Sequence, residues 1–100
     1  MDKTDALNNA ITYANLVRSN FNCNKVYLFG SYSKGDFNED SDIDIAVVIK
    51  DYSDFFDVQM ELMRLRRKID SRIEPHPFRE KDFVSVNPLV FEIQKYGQEI

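Results

Sequence analysis

The chain has 100 residues, of which 43% are hydrophobic and 30% charged, and its net charge is −4 at pH 7. This length and composition predict one globular domain, residues 1–100, and exclude a disordered or fibrous chain. The acidic surplus argues against binding nucleic acid through its phosphates, which requires clustered Lys and Arg. Cys23 is the single cysteine, and the sequence has no signal peptide or membrane-length apolar run, so we expect a cytoplasmic protein without a membrane role.

The first half of the chain predicts one helix and two strands. Apolar residues at three- and four-residue spacing predict an amphipathic helix over Thr4–Ser19. KVYLFG (Lys25–Gly30) predicts a strand that its glycine ends. The polar loop SYSKGDFNEDS follows, whose first residues fit one helical turn, and DIDIAVVI (Asp42–Ile49) predicts a second strand. Because this strand has no polar residue after Asp44, we expect it to be central.

Two further helices are predicted in the second half. A final short helix is predicted between Asn87, its N-cap, and Gly97, with Pro88 at the first helical position. The strongest helix is predicted over Ser53–Ile69, because its apolar residues repeat at helical spacing. Its expected core stripe consists of Phe55, Val58, Leu62, Leu65 and Ile69, widened by Phe56, Met60 and Met63.

RIEPHPF (Arg72–Phe78) predicts an edge strand. Pro75 and Pro77 lack N–H donors, and alternate amides of a strand point to the same side, so both missing donors lie along one edge. The element order is therefore α-β-loop-β-α-β-α, which predicts a small sheet covered by helices, of the α/β or α+β class. The long helix before this strand permits a parallel crossover.

Two aspartates, one residue apart, begin the second strand. Because side chains alternate along a strand, Asp42 and Asp44 project from one face, with Cα atoms about 6 to 7 Å apart. Ile43, Ile45 and Val47 project from the other face, toward the helices. Two carboxylates on one rigid strand suit a hard divalent cation such as Mg²⁺, which prefers oxygen ligands.

A Gly-Ser turn closes the first strand. Gly30 lets the backbone approach a ligand closely, and Ser31 offers a hydroxyl and an amide, a combination that favours a phosphate. A phosphate-binding turn followed by a metal-binding pair indicates a nucleoside triphosphate held as its magnesium complex. Phosphoryl or nucleotidyl transfer is therefore the leading reaction class.

The run GSYSKGDFNEDSDIDIAVV resembles the signature of the DNA polymerase β-type nucleotidyltransferase superfamily, in which Gly-Ser and a second glycine precede Asp-x-Asp on the next strand. The small size resembles its minimal nucleotidyltransferase (MNT) branch. The resemblance implies a small mixed sheet with helices on one face and the active site on the other. Gly30 and Ser31 would hold the triphosphate of ATP or another nucleotide, and Asp42 and Asp44 would bind two Mg²⁺ ions.

The third carboxylate of the family is usually an aspartate, and the matching position here is Glu74. The resemblance implies that Glu74 completes one metal site and helps to deprotonate the attacking hydroxyl. Its side chain is one methylene longer than aspartate, and the alternative is an exposed charge on an edge strand. His76 shares a face with Glu74 and is expected to border the site, or else to be a surface or packed residue.

The resemblance also implies an activity and a partner. Family members transfer a nucleoside monophosphate, here AMP from ATP, to a hydroxyl and release pyrophosphate. Many MNT proteins are antitoxins encoded beside a helical HEPN-type toxin, and some add AMP to a toxin tyrosine. We therefore expect such a toxin, or a second copy of the chain, to cover the open sheet face. The alternative is a non-catalytic antitoxin or nucleotide-binding module that acts by contact, which Glu74 in place of aspartate motivates.

Overall fold

In a computed structural model that describes residues 3–38 and 40–100, the chain forms a four-stranded mixed sheet with four α-helices. The predicted order of elements is confirmed, and a two-residue strand at the end of the chain is added. None of the described helices is both long and apolar enough to span a lipid bilayer. The helices are α1 (Lys3–Asn20), α2 (Ser31–Lys34), α3 (Phe55–Arg66) and α4 (Pro88–Tyr96), and the strands are β1 (Cys23–Phe29), β2 (Ile43–Ile49), β3 (Ile73–Arg79) and β4 (Gln98–Glu99).

The strand order is β3-β2-β1-β4, so β2 is central and β3 is an edge strand, as predicted. β1 pairs antiparallel with β2 and β4, whereas β2 pairs parallel with β3 through the α3 crossover. The carbonyls of Pro75 and Pro77 accept hydrogen bonds from Gln59 Nε2 (3.2 Å) and Tyr52 Oη (3.5 Å). The two prolines therefore use only their acceptors at this edge of the sheet, where their missing donors cost nothing.

One face of the sheet, here called the helical face, packs against α1 and α3. Ile43, Ile45 and Val47 of β2 are fully buried on it, which confirms the predicted alternation. Tyr13 of α1 crosses to α3 and donates a hydrogen bond to the carbonyl of Leu62 at 2.7 Å. The main hydrophobic core therefore lies between the helical face and these two helices.

The opposite face, here called the site face, carries Asp44 and is partly covered by α4. Ala46 and Val48 follow Asp44 on this face, and they pack with Phe29 of β1 and Ile93 of α4. Helices therefore lie mainly, but not wholly, on one side of the sheet. The part of the site face beside β3 is left for the polar residues described below.

α3 is shorter and less buried than the sequence predicts. It begins after an N-cap, Asp54, that accepts from two backbone N–H groups, and it ends at Arg66 instead of Ile69. Because α3 packs mainly against β3 and α1, only a narrow stripe is covered. That stripe is Val58, Leu62 and Leu65, whereas Phe55, Phe56 and Met60 are 54%, 68% and 56% exposed.

Candidate active site

The Gly-Ser turn is packed directly against one of the two aspartates. Gly30 has φ 75° and ψ −148° and leads from β1 into α2. A Cβ atom at this position would lie 2.3 Å from Oδ2 of Asp44. Only glycine therefore lets the turn and the carboxylate come this close, for reasons both of backbone conformation and of space.

The turn is braced by α2 and α4. The backbone N–H groups of Ser33 and Lys34 both donate to the carbonyl of Gly30, at 3.2 and 3.1 Å. The Lys34 ammonium forms an ion pair with Glu92 of α4 and lies 5.6 Å from the ring centroid of Tyr96. The hydrogen bond to Glu92 raises the pKa of Lys34. The loop that contains the Gly-Ser turn is thereby tied to the last helix.

Three carboxylates predicted to share a site are brought to one region by β2 and β3. The parallel register pairs Asp44 with Glu74, so both side chains point from the site face. Asp42 lies just before β2, and all three residues line one open recess of about 390 Å³. Among residues 3–38 and 40–100, no three such groups already stand close enough together to hold a metal ion. A cation held by all three carboxylates would therefore require at least one of these side chains to turn toward the others.

His76 contacts the predicted metal ligand Asp44. Its Nε2 lies 3.1 Å from Oδ1 of Asp44, and its ring meets the Phe29 ring edge-on, with centroids 5.0 Å apart and planes at 65°. The sequence places His76 on the right face, as the alternation along β3 predicts. It does not reveal the contact with Asp44, because the two residues are 32 positions apart.

The outer wall of the recess comes from β3 and α3. Phe55, Pro75, Pro77 and Phe78 supply apolar surface there. Gln59 also lines the recess, and its Nε2 donates to Pro75 while its Oε1 is buried without a hydrogen-bond partner among the described residues. Sequence reasoning assigns Phe55 to the core and does not single out Gln59. Helical periodicity cannot separate a residue under a helix from one that overhangs a sheet edge.

The predicted site residues therefore lie together. Gly30 packs on Asp44, Ser31 begins α2 beside it, and Asp42 and Glu74 line the adjoining recess. This arrangement combines a backbone turn with carboxylate oxygens, a donor set that matches a hard cation carrying phosphate groups. Their catalytic and metal-binding roles stay predictions.

Comparison with known proteins adds independent information. A family model described as "Polymerase beta, Nucleotidyltransferase" matches residues 12–100. A protein of Methanocaldococcus jannaschii named "Putative protein adenylyltransferase" is 30% identical over 79 residues, which cover 76% of this chain and 77% of that protein.

Several solved structures with a similar fold come from toxin–antitoxin systems. A chain of a toxin–antitoxin crystallised with AMP-PNP has a TM-score of 0.68 and 31% identity, covering 92% of this chain and 69% of that one. A variant of the MntA-HpeT toxin–antitoxin with two aspartate-to-glutamate substitutions has a TM-score of 0.68 and 26% identity, covering 99% of this chain and 72% of that one. Because the family match spans nearly the whole fold described above, the chain belongs to the polymerase β nucleotidyltransferase family.

Proposed function

We propose that this protein is a magnesium-dependent nucleotidyltransferase that transfers AMP from ATP to a hydroxyl group on a partner protein. The observation that carries this proposal is the packing of Gly30 on Asp44, with Glu74 paired to Asp44 on the next strand. In this proposal, these contacts bring a phosphate-binding turn, a metal-binding pair and a third carboxylate together. These are the parts that a nucleotidyl transfer requires.

The residues present fit a magnesium–triphosphate complex. Asp42, Asp44 and Glu74 offer only oxygen donors, which Mg²⁺ prefers, and the missing side chain of Gly30 lets the Gly-Ser turn lie directly beside the Asp44 carboxylate. In this proposal the aspartates hold the cation and Glu74 completes its ligand set. When bound, Mg²⁺ would supply charge stabilisation for the phosphoryl oxygens.

The chain's own groups then have separate tasks. The amide and hydroxyl of Ser31, with the backbone of Gly30, bind and orient the triphosphate. A carboxylate oxygen of Glu74 accepts the proton of the acceptor hydroxyl as its oxygen attacks the α-phosphorus. The new bond joins that oxygen to phosphorus, the bond to the bridging oxygen breaks, and its electron pair leaves with pyrophosphate.

A protein acceptor is supported by the comparisons with known proteins and by exposed apolar residues of α3. The M. jannaschii relative is named "Putative protein adenylyltransferase", and several of the similar solved structures are toxin–antitoxin assemblies, one of them with AMP-PNP. Phe55 lines the recess, and Phe56 and Met60, also on α3, are exposed, which provides apolar surface for a partner. We therefore propose an antitoxin whose target is a tyrosine of a HEPN-type toxin.

The test uses α-³²P-labelled ATP, MgCl₂ and a lysate of the source organism. We expect wild-type protein to label a macromolecule, and Asp42→Asn/Asp44→Asn to abolish the labelling while its circular dichroism spectrum is unchanged. The matched control is Asp36→Asn/Asp40→Asn, which removes the same charge from exposed positions in the same loop and should label normally.

Transfer that survives in the Asp42→Asn/Asp44→Asn protein would contradict the proposal. If neither protein labels any acceptor with any of the four ribonucleoside triphosphates, but both neutralise a co-expressed toxin equally, the protein acts by contact. That outcome would support the non-catalytic alternative and overturn the proposed activity.

A further inference from the structure

The imidazole of His76 forms a hydrogen bond with the Asp44 carboxylate. Oδ1 of Asp44 lies 3.1 Å from Nε2 of His76. An ionised carboxylate has acceptors only, so the hydrogen of this bond belongs to Nε2. The contact joins the middle of the edge strand β3 to the central strand β2 on the site face.

The imidazole is itself held in place from several sides. The Phe29 ring packs against it edge-on, with ring centroids 5.0 Å apart. Ala46 is its partner across the β2–β3 register, and this small side chain leaves room for the ring to lean toward Asp44. Pro75 and Pro77, on either side of His76, have fixed φ angles and so stiffen the strand at this point.

The other oxygen of the same carboxylate faces a different element. Oδ2 of Asp44 lies beside Gly30, only 2.3 Å from the position that a Cβ atom of residue 30 would take. One carboxylate oxygen is thus confined by the Gly-Ser turn on the β1 side, and the other receives a hydrogen bond from β3. Rotation of the carboxylate would break the hydrogen bond with His76 or press Oδ2 into the turn.

We propose that His76 is a positioning residue that holds the Asp44 carboxylate in the orientation needed to bind a divalent cation. This inference rests on the proposed function, because it assumes that Asp44 is a metal ligand. A hydrogen bond to a ligating carboxylate orients it, and loss of such a bond typically costs about 10- to 100-fold in metal affinity.

The experiment measures Mn²⁺ binding to the intact chain by electron paramagnetic resonance, in which free Mn²⁺ gives the signal that bound Mn²⁺ loses. Wild type, Asp42→Asn/Asp44→Asn and three His76 variants are titrated. His76→Leu removes the N–H group, and His76→Asn places its amide too near the backbone to reach Asp44. In His76→Gln, the side-chain amide nitrogen is the same number of bonds from Cβ as Nε2 is in histidine, so it can still reach Asp44.

We expect His76→Leu and His76→Asn to bind Mn²⁺ about 10- to 100-fold more weakly than wild type, and His76→Gln to keep an affinity close to that of wild type. Melting temperatures should be similar for all three, because His76 is partly exposed on an edge strand. If His76 acted only by packing, His76→Leu would keep Mn²⁺ binding better than His76→Gln.

The outcomes separate this inference from the proposed function. If binding depends on Asp42 and Asp44 but all three His76 variants bind like wild type, the positioning role is wrong and the proposed metal site stands. If His76→Gln loses affinity as severely as His76→Leu, His76 does not act through a donated hydrogen bond, and the inference is overturned. Wild-type protein that binds no Mn²⁺ through the aspartates would overturn both.

Discussion

Replacing Gly30 by alanine would place a methyl group in the space that the Asp44 carboxylate occupies. The new Cβ would lie 2.3 Å from Oδ2 of Asp44, so the carboxylate has to move by about 1 Å to regain an ordinary contact distance. A misplacement of about 1 Å in a catalytic arrangement can cost on the order of 100-fold in rate. We therefore expect Gly30→Ala to lower the initial rate of AMP transfer by about 100-fold.

The same substitution should also lower stability. The dihedral angles of Gly30, φ 75° and ψ −148°, fall in a region used almost only by glycine, and a residue held there costs on the order of 1–3 kcal/mol. In a domain of this size, 1 kcal/mol lowers the melting temperature by about 4–8 °C. A cost of about 2 kcal/mol therefore predicts a decrease of about 8–16 °C.

Gly35→Ala is the matched control. Gly35 also has a positive φ, 87°, with ψ 5°, and alanine in this left-handed conformation costs about 1–2 kcal/mol. A Cβ atom there would meet nothing within 4 Å. The control should lose stability to a similar extent but keep transfer close to the wild-type rate.

Both glycine variants are assayed well below their melting temperatures, which are measured by circular dichroism. The reasoning is refuted if Gly30→Ala and Gly35→Ala slow transfer equally, because the loss would then follow backbone strain and not the displacement of Asp44. It is also refuted if Gly30→Ala transfers AMP at the wild-type rate.

Two further predictions concern a buried and a partly buried polar contact. Tyr13→Phe should lower the free energy of unfolding, measured in urea, by about 0.5–1.5 kcal/mol, because it removes the hydrogen bond to Leu62. Burial raises the pKa of Tyr13, so wild type but not the variant should lose extra stability as pH rises above about 10. Burial would raise the pKa of Asp70, but hydrogen bonds from Arg72 and Asn9 outweigh it and hold the pKa below its usual value. The stability that Asp70 contributes is present above about pH 4 and lost below it. Asp70→Asn should therefore reduce the loss of unfolding free energy between about pH 4 and pH 2. A loss equal to that of wild type would contradict this.

Much of the site could be predicted because its key residues lie close together in the sequence. Gly30 and Ser31 directly follow β1, and Asp42 and Asp44 lie at the start of β2, so the antiparallel return of the chain brings them together. Glu74 could be assigned by resemblance alone, and the β2–β3 register then places it opposite Asp44. Its role and those of the aspartates stay predictions.

Other features could not be predicted, for identifiable reasons. α3 has apolar residues around more of its circumference than the sheet and α1 can cover, so periodicity overstates its buried stripe. Phe55, Phe56 and Met60 are exposed as a result. β4 has only two residues, too few for any alternation to be visible.

The sequence by itself determined the order of the elements, the central and edge positions of β2 and β3, and the residues of the Gly-Ser turn and Asp-x-Asp pair. These depend on side-chain periodicity and on residue types at short spacing, which are local properties. Only the tertiary structure decided that Asp44 is enclosed between Gly30 and His76, and which part of α3 overhangs the recess. Such contacts depend on strand register and on side-chain volumes across elements, which no local pattern records.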